Sequence, residues 1–319
     1  MRNESRQKLG RIEAEVRRNL ADAAYRARLC IGALRGRDVT AVFARLTSAA
    51  VRAVLVLVAV AIPSVLLPGA SDEGVLLVAL VALFAAVLTF AEYASTYPGL
   101  IEFREAPPFN RIRYLVLLVS LVLLSLIVRA GVAPTGLNAF AAGMGAAVGQ
   151  ALDFPYSPVR LVVIAIASDG HGTAPAVIRA AAGMAYLVSL IGLAVFVILT
   201  RASAWPRRSA VFNVWINLPT FDPTAGGDLV LRLERDARVN LILGFLLPFI
   251  APAVFVSAAQ VFAPVVLTSP HTLVWTLTLW AFLPASLFMR GIALGRVALM
   301  VREKRRQSRI AGEGHWQPA

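Results

Sequence analysis

The chain has 319 residues, 58% of them hydrophobic and only 15% charged, with a mean hydropathy of +0.73 and a formal net charge of +13. A soluble domain carries roughly a quarter of its residues as charges, so the composition argues against a water-soluble fold, and the length leaves room for one helical bundle with short flanks. The basic residues are spread among the connections and are not gathered on one groove-lining face, which disfavours a nucleic-acid partner and points to anionic lipid headgroups, where each cation is worth about 1 kcal/mol.

Residues 1–49 form a basic N-terminal segment. Leu9, Ile12, Val16, Leu20 and Ala24 fall on one helical stripe within 3–30, with Arg11, Arg17, Arg18, Arg26 and Arg28 on other faces. Such a helix either lies along the headgroups or packs on a partner. The single cysteine, Cys30, sits in this segment, so no disulfide within one chain and no Cys/His metal spacing is expected. Gly36 breaks the pattern, and Asp38 is suited to cap a second helix leading into the membrane. The first apolar run begins only at Val51, behind a polar stretch, so no cleavable leader is expected.

Six apolar runs follow, at 51–67, 74–91, 114–128, 174–200, 241–266 and 272–289, and the only charged residues within them are Arg52 and Arg179. Each crosses or nearly crosses a ~30 Å hydrocarbon core. The expected fold class is therefore all-α, a polytopic transmembrane helical bundle with about six crossings spanning 50–300, ending in a basic tail at 301–319. Residues 1–52 hold twelve of the 31 Lys and Arg, 91–113 three, 201–240 six and the stretch from Arg290 onward seven. With six crossings these all fall on one side, which leaves only Arg129, Arg160 and Arg179 opposite. Retention of basic residues on the cytoplasmic face predicts both termini inside. Abundant Ala and the use of Arg over Lys, which occurs only at Lys8 and Lys304, suggest a high-GC bacterial genome and hence the inner membrane.

The connections are uneven. The link 68–73 is a tight outside turn. The inside connection 91–113 contains Tyr93, Tyr97, Phe103 and Phe109, expected as headgroup-level anchors, together with Pro98, Pro107 and Pro108, which deny it a continuous helix. It reads as a structured interfacial loop or as a docking site. Residues 130–173 lack a clear crossing. They form either a pair of outside helices or a partly inserted helical hairpin, and the hairpin is favoured because Gly145 and Gly149 permit close helix approach. The second inside connection, 201–240, offers Trp205 as an interfacial anchor, Asp222 and Asp228 as helix caps, and Glu234–Arg238 in the favourable helical order. Pro248, Pro252 and Pro284 mark kinks, and Gly291 with Gly295 makes a second close-approach pattern.

No strong catalytic motif is present: no HExxH, GxSxG or phosphate-binding Gly loop. No ionisable residue sits near the middle of a clear crossing, where a coupled transporter usually needs one. The candidate site residues are Glu102, Arg104, Glu105 and Asn110 in the first inside loop, Asp169 and His171 in the outside turn before the fourth crossing, and Asp222 and Asp228 in the second inside loop. Asp169 and His171 have the donor types for a metal or an acid–base pair, but no spacing signature. The inside carboxylates are suited to hold Mg²⁺ if the two loops meet. No catalytic residue, metal or cofactor is assigned. The leading expectation is a non-catalytic assembly, accessory or scaffold protein that works with a membrane protein partner. The alternatives are a transporter or channel for a weakly charged or lipidic substrate, and a membrane-embedded enzyme acting on a lipid-linked one.

Overall fold

The computed structural model describes residues 40, 42–69, 71–97, 99–167, 174–203, 205–206, 217–219, 221, 228–262 and 269–313. The expected N-terminal amphipathic helix, Cys30, Asp38, Asp169, His171, Asp222 and the end of the tail lie outside them. Among the described residues all regular structure is helical: α1 Val42–Leu66, α2 Asp72–Ala94, α3 Phe109–Ala130, α4 Gly136–Leu152, α5 Pro158–Ala167, α6 Pro175–Ala202, α7 Leu229–Phe262 and α8 Pro270–Glu313. Six of these are long and apolar enough to cross a membrane; α4 and α5 are the short ones. The protein is an all-α polytopic bundle.

The helices run further than the apolar runs that announce them, because hydropathy marks the hydrocarbon and not the helix end. At α2 the Ser71 hydroxyl caps the first turn by accepting from the Gly74 N–H at 3.1 Å. The largest difference is α8, whose 44 residues make a rod of about 66 Å. Its C-terminal part leaves the apolar region alongside the first turns of α7. Val230, Leu233 and Ala237 bury against Ala293, Leu294 and Val297 there, and ion pairs of Arg302 with Glu234 and of Arg305 with Asp228 flank the seam.

The core falls into two clusters. One joins α3, α5, the first half of α6 and the first half of α8. The other lies at the basic end, where Phe103, Phe109, Phe196, Trp205 and Met289 meet beneath the two connecting loops. Phe103 and Phe109 are each 1% exposed and Trp205 6%, so these three are core residues and not headgroup anchors, whereas Tyr97 is exposed. The described parts of the two connections fold inward over the bundle, which takes the rings of Phe103, Phe109 and Trp205 out of the interface. Two hydrogen bonds fix α1 to α3: the Tyr114 hydroxyl donates to the Leu55 carbonyl at 2.9 Å, and Arg129 Nη1 donates to the Leu66 carbonyl at 3.0 Å.

Two sequence devices serve packing. Pro252 has no N–H for the carbonyl of Pro248 one turn earlier, and the indole of Trp280 on α8 donates to that carbonyl at 3.1 Å. In a bilayer interior, where water does not supply the missing donor, this satisfies the freed oxygen from a neighbouring helix. The glycines of α4 work by absence. A Cβ on Gly183 of α6 would lie 2.5 Å from the Gly149 Cα, and one on Gly149 would lie 2.6 Å from the Arg179 carbonyl oxygen. These backbones touch as only glycine permits. Gly291 plays the same part between α8 and α7: a Cβ there would stand 2.8 Å from the Ala237 carbonyl oxygen.

Gly183→Val is expected to force α4 and α6 apart and cost about 1–3 kcal/mol, read as a lower thermal midpoint in detergent. Gly143→Ala on the same α4, where a Cβ meets nothing within 4 Å, should leave the midpoint unchanged. Equal midpoints for both variants would contradict this packing.

Candidate functional site

The connection between α2 and α3 is folded by reciprocal end-capping. The last turn of α2 leaves carbonyls unpaired. Arg104, whose side chain is 7% exposed, donates through Nη1 to the Glu92 carbonyl at 2.7 Å and the Ser95 carbonyl at 2.8 Å. In return the Glu92 carboxylate accepts the backbone N–H groups of Gly99, Leu100 and Ile101 at 3.0–3.2 Å. Asn110, in the first turn of α3, donates its side-chain amide to the Glu102 carbonyl at 2.7 Å. The loop is therefore pinned to both helices it joins.

Phe103 gives the loop its direction. Its φ of 52° lies in the left-handed region, which costs a residue with a side chain about 1 kcal/mol. Burial of the ring opposes that cost: its centroid is 4.6 Å from that of Phe109 and 5.7 Å from that of Trp205. The Phe103 N–H also donates to the Asn217 carbonyl at 2.6 Å, and the Glu105 N–H donates to Asn217 Oδ1 at 3.1 Å. The two loops at the basic end thus meet through Asn217. The turn at Phe103 delivers Glu102 to α8, where Arg290 donates to its carboxylate through Nε at 2.6 Å and Nη2 at 2.7 Å. This bidentate fork is the strongest geometry available to such a pair.

Beside this pair lies a cavity of about 1090 Å³, bounded by α1, the end of α2, the loop, the start of α3, Leu247 of α7 and Leu283–Arg290 of α8. That is at or slightly above the upper end of ordinary ligand sites. Among the described residues, Arg52, Arg104, Arg111, Arg113 and Arg290 line it with Glu102 as the only carboxylate, together with the aliphatic side chains of Val51, Leu55, Val56, Leu100, Ile101, Leu247, Leu283 and Leu287. Arg52 donates to the Ser48 carbonyl at 2.9 Å and its guanidinium lies 4.5 Å from the centroid of Tyr93. The Arg113 guanidinium lies 5.1 Å from the Phe109 centroid and 6.0 Å from that of Phe282. Its Nε is buried with no hydrogen-bond partner among the described residues.

The sequence candidates divide. Glu102, Arg104 and Asn110 come together here, with Glu102 and Arg104 in the cavity wall and Asn110 bracing the loop. Glu105 is half-exposed and makes only a 3.5 Å contact with Arg104. Asp228 is elsewhere: it accepts from Arg305 at 2.7 Å and from the Val230 N–H at 3.1 Å, and these bonds, the Arg305 one foremost, hold its carboxyl below the ordinary aspartate range. Arg305 is fifteen residues beyond Arg290 on one helix, about 22 Å, so Asp228 and Glu102 do not share a site. Among the described residues no group of three or more His, Cys, Asp or Glu is placed to hold a metal ion.

Arg52, Tyr93, Arg113 and Arg290 are the residues that sequence reasoning passed over as site members. The arginines read as topogenic charge; the signal that distinguishes Arg52 and Arg113 is their position inside the membrane helices, about three turns into α1 and one turn into α3. Chemically, the arrangement offers guanidinium groups and aliphatic side chains in one cavity, and its one carboxylate among the described residues is paired with Arg290. Comparison with protein-family models, curated proteins and solved structures gives no match.

Glu102→Gln keeps the volume but removes the charge that Arg290 grips. The expected cost is about 1–3 kcal/mol, seen as a lower thermal midpoint, whereas Glu105→Gln, at an exposed and loose pair, should change it little. An unaltered midpoint for Glu102→Gln would show that the pair does not hold the loop.

Proposed function

We propose that this is a non-catalytic accessory protein of a bacterial inner membrane, with both termini in the cytoplasm, and that it works by seating an anionic amphiphile in the cavity at its basic end. The observation that carries this reading is the lining itself: among the described residues, five arginines against one carboxylate, together with eight aliphatic side chains. A head that is anionic and a tail that is apolar match the two parts. The positive-inside distribution of Arg and Lys supports placing this end at the cytoplasmic leaflet, where anionic headgroups are concentrated.

The other readings find less support. A transport path through the Gly-rich segment competes with the contact that Gly145 and Gly149 make with α3 and α6, where added Cβ atoms would meet Ile127, Arg179 and Ala180 at 3.3 Å or closer. Chemistry by converging inside carboxylates is disfavoured by the separate ion pairs of Glu102 and Asp228. A partner-binding role is favoured by one specific feature, the α7–α8 extension, which presents Lys304, Arg306 and Arg309 on an exposed surface.

Lipids retained by the protein after purification in mild detergent are expected to be enriched in anionic species relative to the source membrane. Leu287→Trp, which fills the aliphatic part of the cavity, should abolish the enrichment. Retained lipid that mirrors the membrane composition in both proteins would contradict the proposal.

A further inference from the structure

Resting on the reading of the cavity as an amphiphile seat, we propose that the head it recognises is a terminal phosphate monoester on an apolar chain, with Arg113 as the principal contact. Arg113 is the cavity's buried guanidinium with an unmet N–H. Its Nε is buried without a partner among the described residues, and its guanidinium lies beside the rings of Phe109 and Phe282. The charged and titratable groups that face it are Tyr93 from α2, Glu102 from the loop and Arg290 from α8. Glu102 attracts it, while both oxygens of that carboxylate also accept from Arg290. Arg104 is turned to the α2 carbonyls, and Arg52 to Ser48 and Tyr93.

A guanidinium fork asks for a ligand with two acceptor oxygens, which carboxylates, phosphate diesters and phosphate monoesters all provide. Charge and valence separate them. A carboxylate or diester brings one negative charge, whereas a monoester brings about 1.5 to 2 and three oxygens. The monoester answers Arg113 with two oxygens and keeps a third, and more charge, for the N–H groups of Arg290 or Arg111. The aliphatic wall of Leu55, Val56, Leu247, Leu283 and Leu287 has no use for free phosphate, and favours a lipid as the source.

The full chain in phosphatidylcholine nanodiscs would be titrated with phosphatidate, with phosphatidylglycerol and with inorganic phosphate, and bound lipid counted by native mass spectrometry. Phosphatidate is expected to be preferred over phosphatidylglycerol by about tenfold at pH 7.5. The preference should shrink by pH 5.5, because the second phosphate ionisation lies near ~6. Arg113→Gln should lose about tenfold in phosphatidate binding and the pH dependence with it, while Arg113→Lys, which keeps the charge without the fork, should fall between. If Arg113→Gln does not fold, the lysine variant and the wild-type pH profile still decide. Equal binding of the two anionic lipids, or no pH dependence, would overturn the monoester assignment and leave the amphiphile seat standing. Competition by inorganic phosphate as effective as by phosphatidate would overturn the lipid source, and no anionic preference at all would overturn both readings.

Discussion

A single ion pair organises the basic end of this molecule. Glu102 and Arg290 lie 188 residues apart in sequence and join by two hydrogen bonds of 2.6 and 2.7 Å. On one side of the pair stands a loop whose backbone turns through the left-handed region at Phe103; on the other stands the longest helix. Because the loop is also anchored to α2 by Arg104, to α3 by Asn110 and to the second loop by Asn217, the pair ties four parts of the chain to α8. It also engages both oxygens of the one carboxylate that lines the cavity among the described residues, where four further guanidinium groups stand.

Helix ends explain why so much of the polar bonding is capping, because each helix leaves its last carbonyls without an intrahelical partner. Buried among loops and neighbouring helices, those carbonyls are met by protein. Arg104 at the end of α2 does this, as does Arg296, which donates to the Thr200 and Trp205 carbonyls past the end of α6. Arg129 at the end of α1 and the Trp280 indole at Pro248 complete the set. Arginine suits the task because its fork stays charged and reaches two acceptors at once. The arginine that is abundant in the connections therefore also closes helix ends, and further guanidinium groups line a cavity.

The fold class was legible because it depends on the solvent alone: six apolar runs with two internal charges admit little else. Helix ends were less so, since the apolar run at 272–289 gives no warning that α8 continues to Glu313, held by pairs with α7. The Gly145/Gly149 spacing announced a close approach but not its partner, Gly183, whose own spacing carries no such signal. Half of the inside-loop candidates gathered at one place. Glu102, Arg104 and Asn110 were recognisable as polar residues in an unusually aromatic loop, but nothing local says that Glu102 faces Arg290 when seven basic residues share that last stretch of chain. Arg113 escaped notice for a related reason: its burial follows from the inward fold of Phe103 and Phe109, rings whose position near a boundary pointed to the headgroups instead.

The account rests on an anionic amphiphile occupying the arginine-lined cavity. An electron cryomicroscopy map of the protein in nanodiscs made from its native lipids tests this most directly. The account predicts elongated density within the cavity, its head against Arg113 and its tail along Leu283 and Leu287. A well-resolved map in which side chains fill that volume, or in which it holds no density while the surrounding residues are ordered, would contradict it.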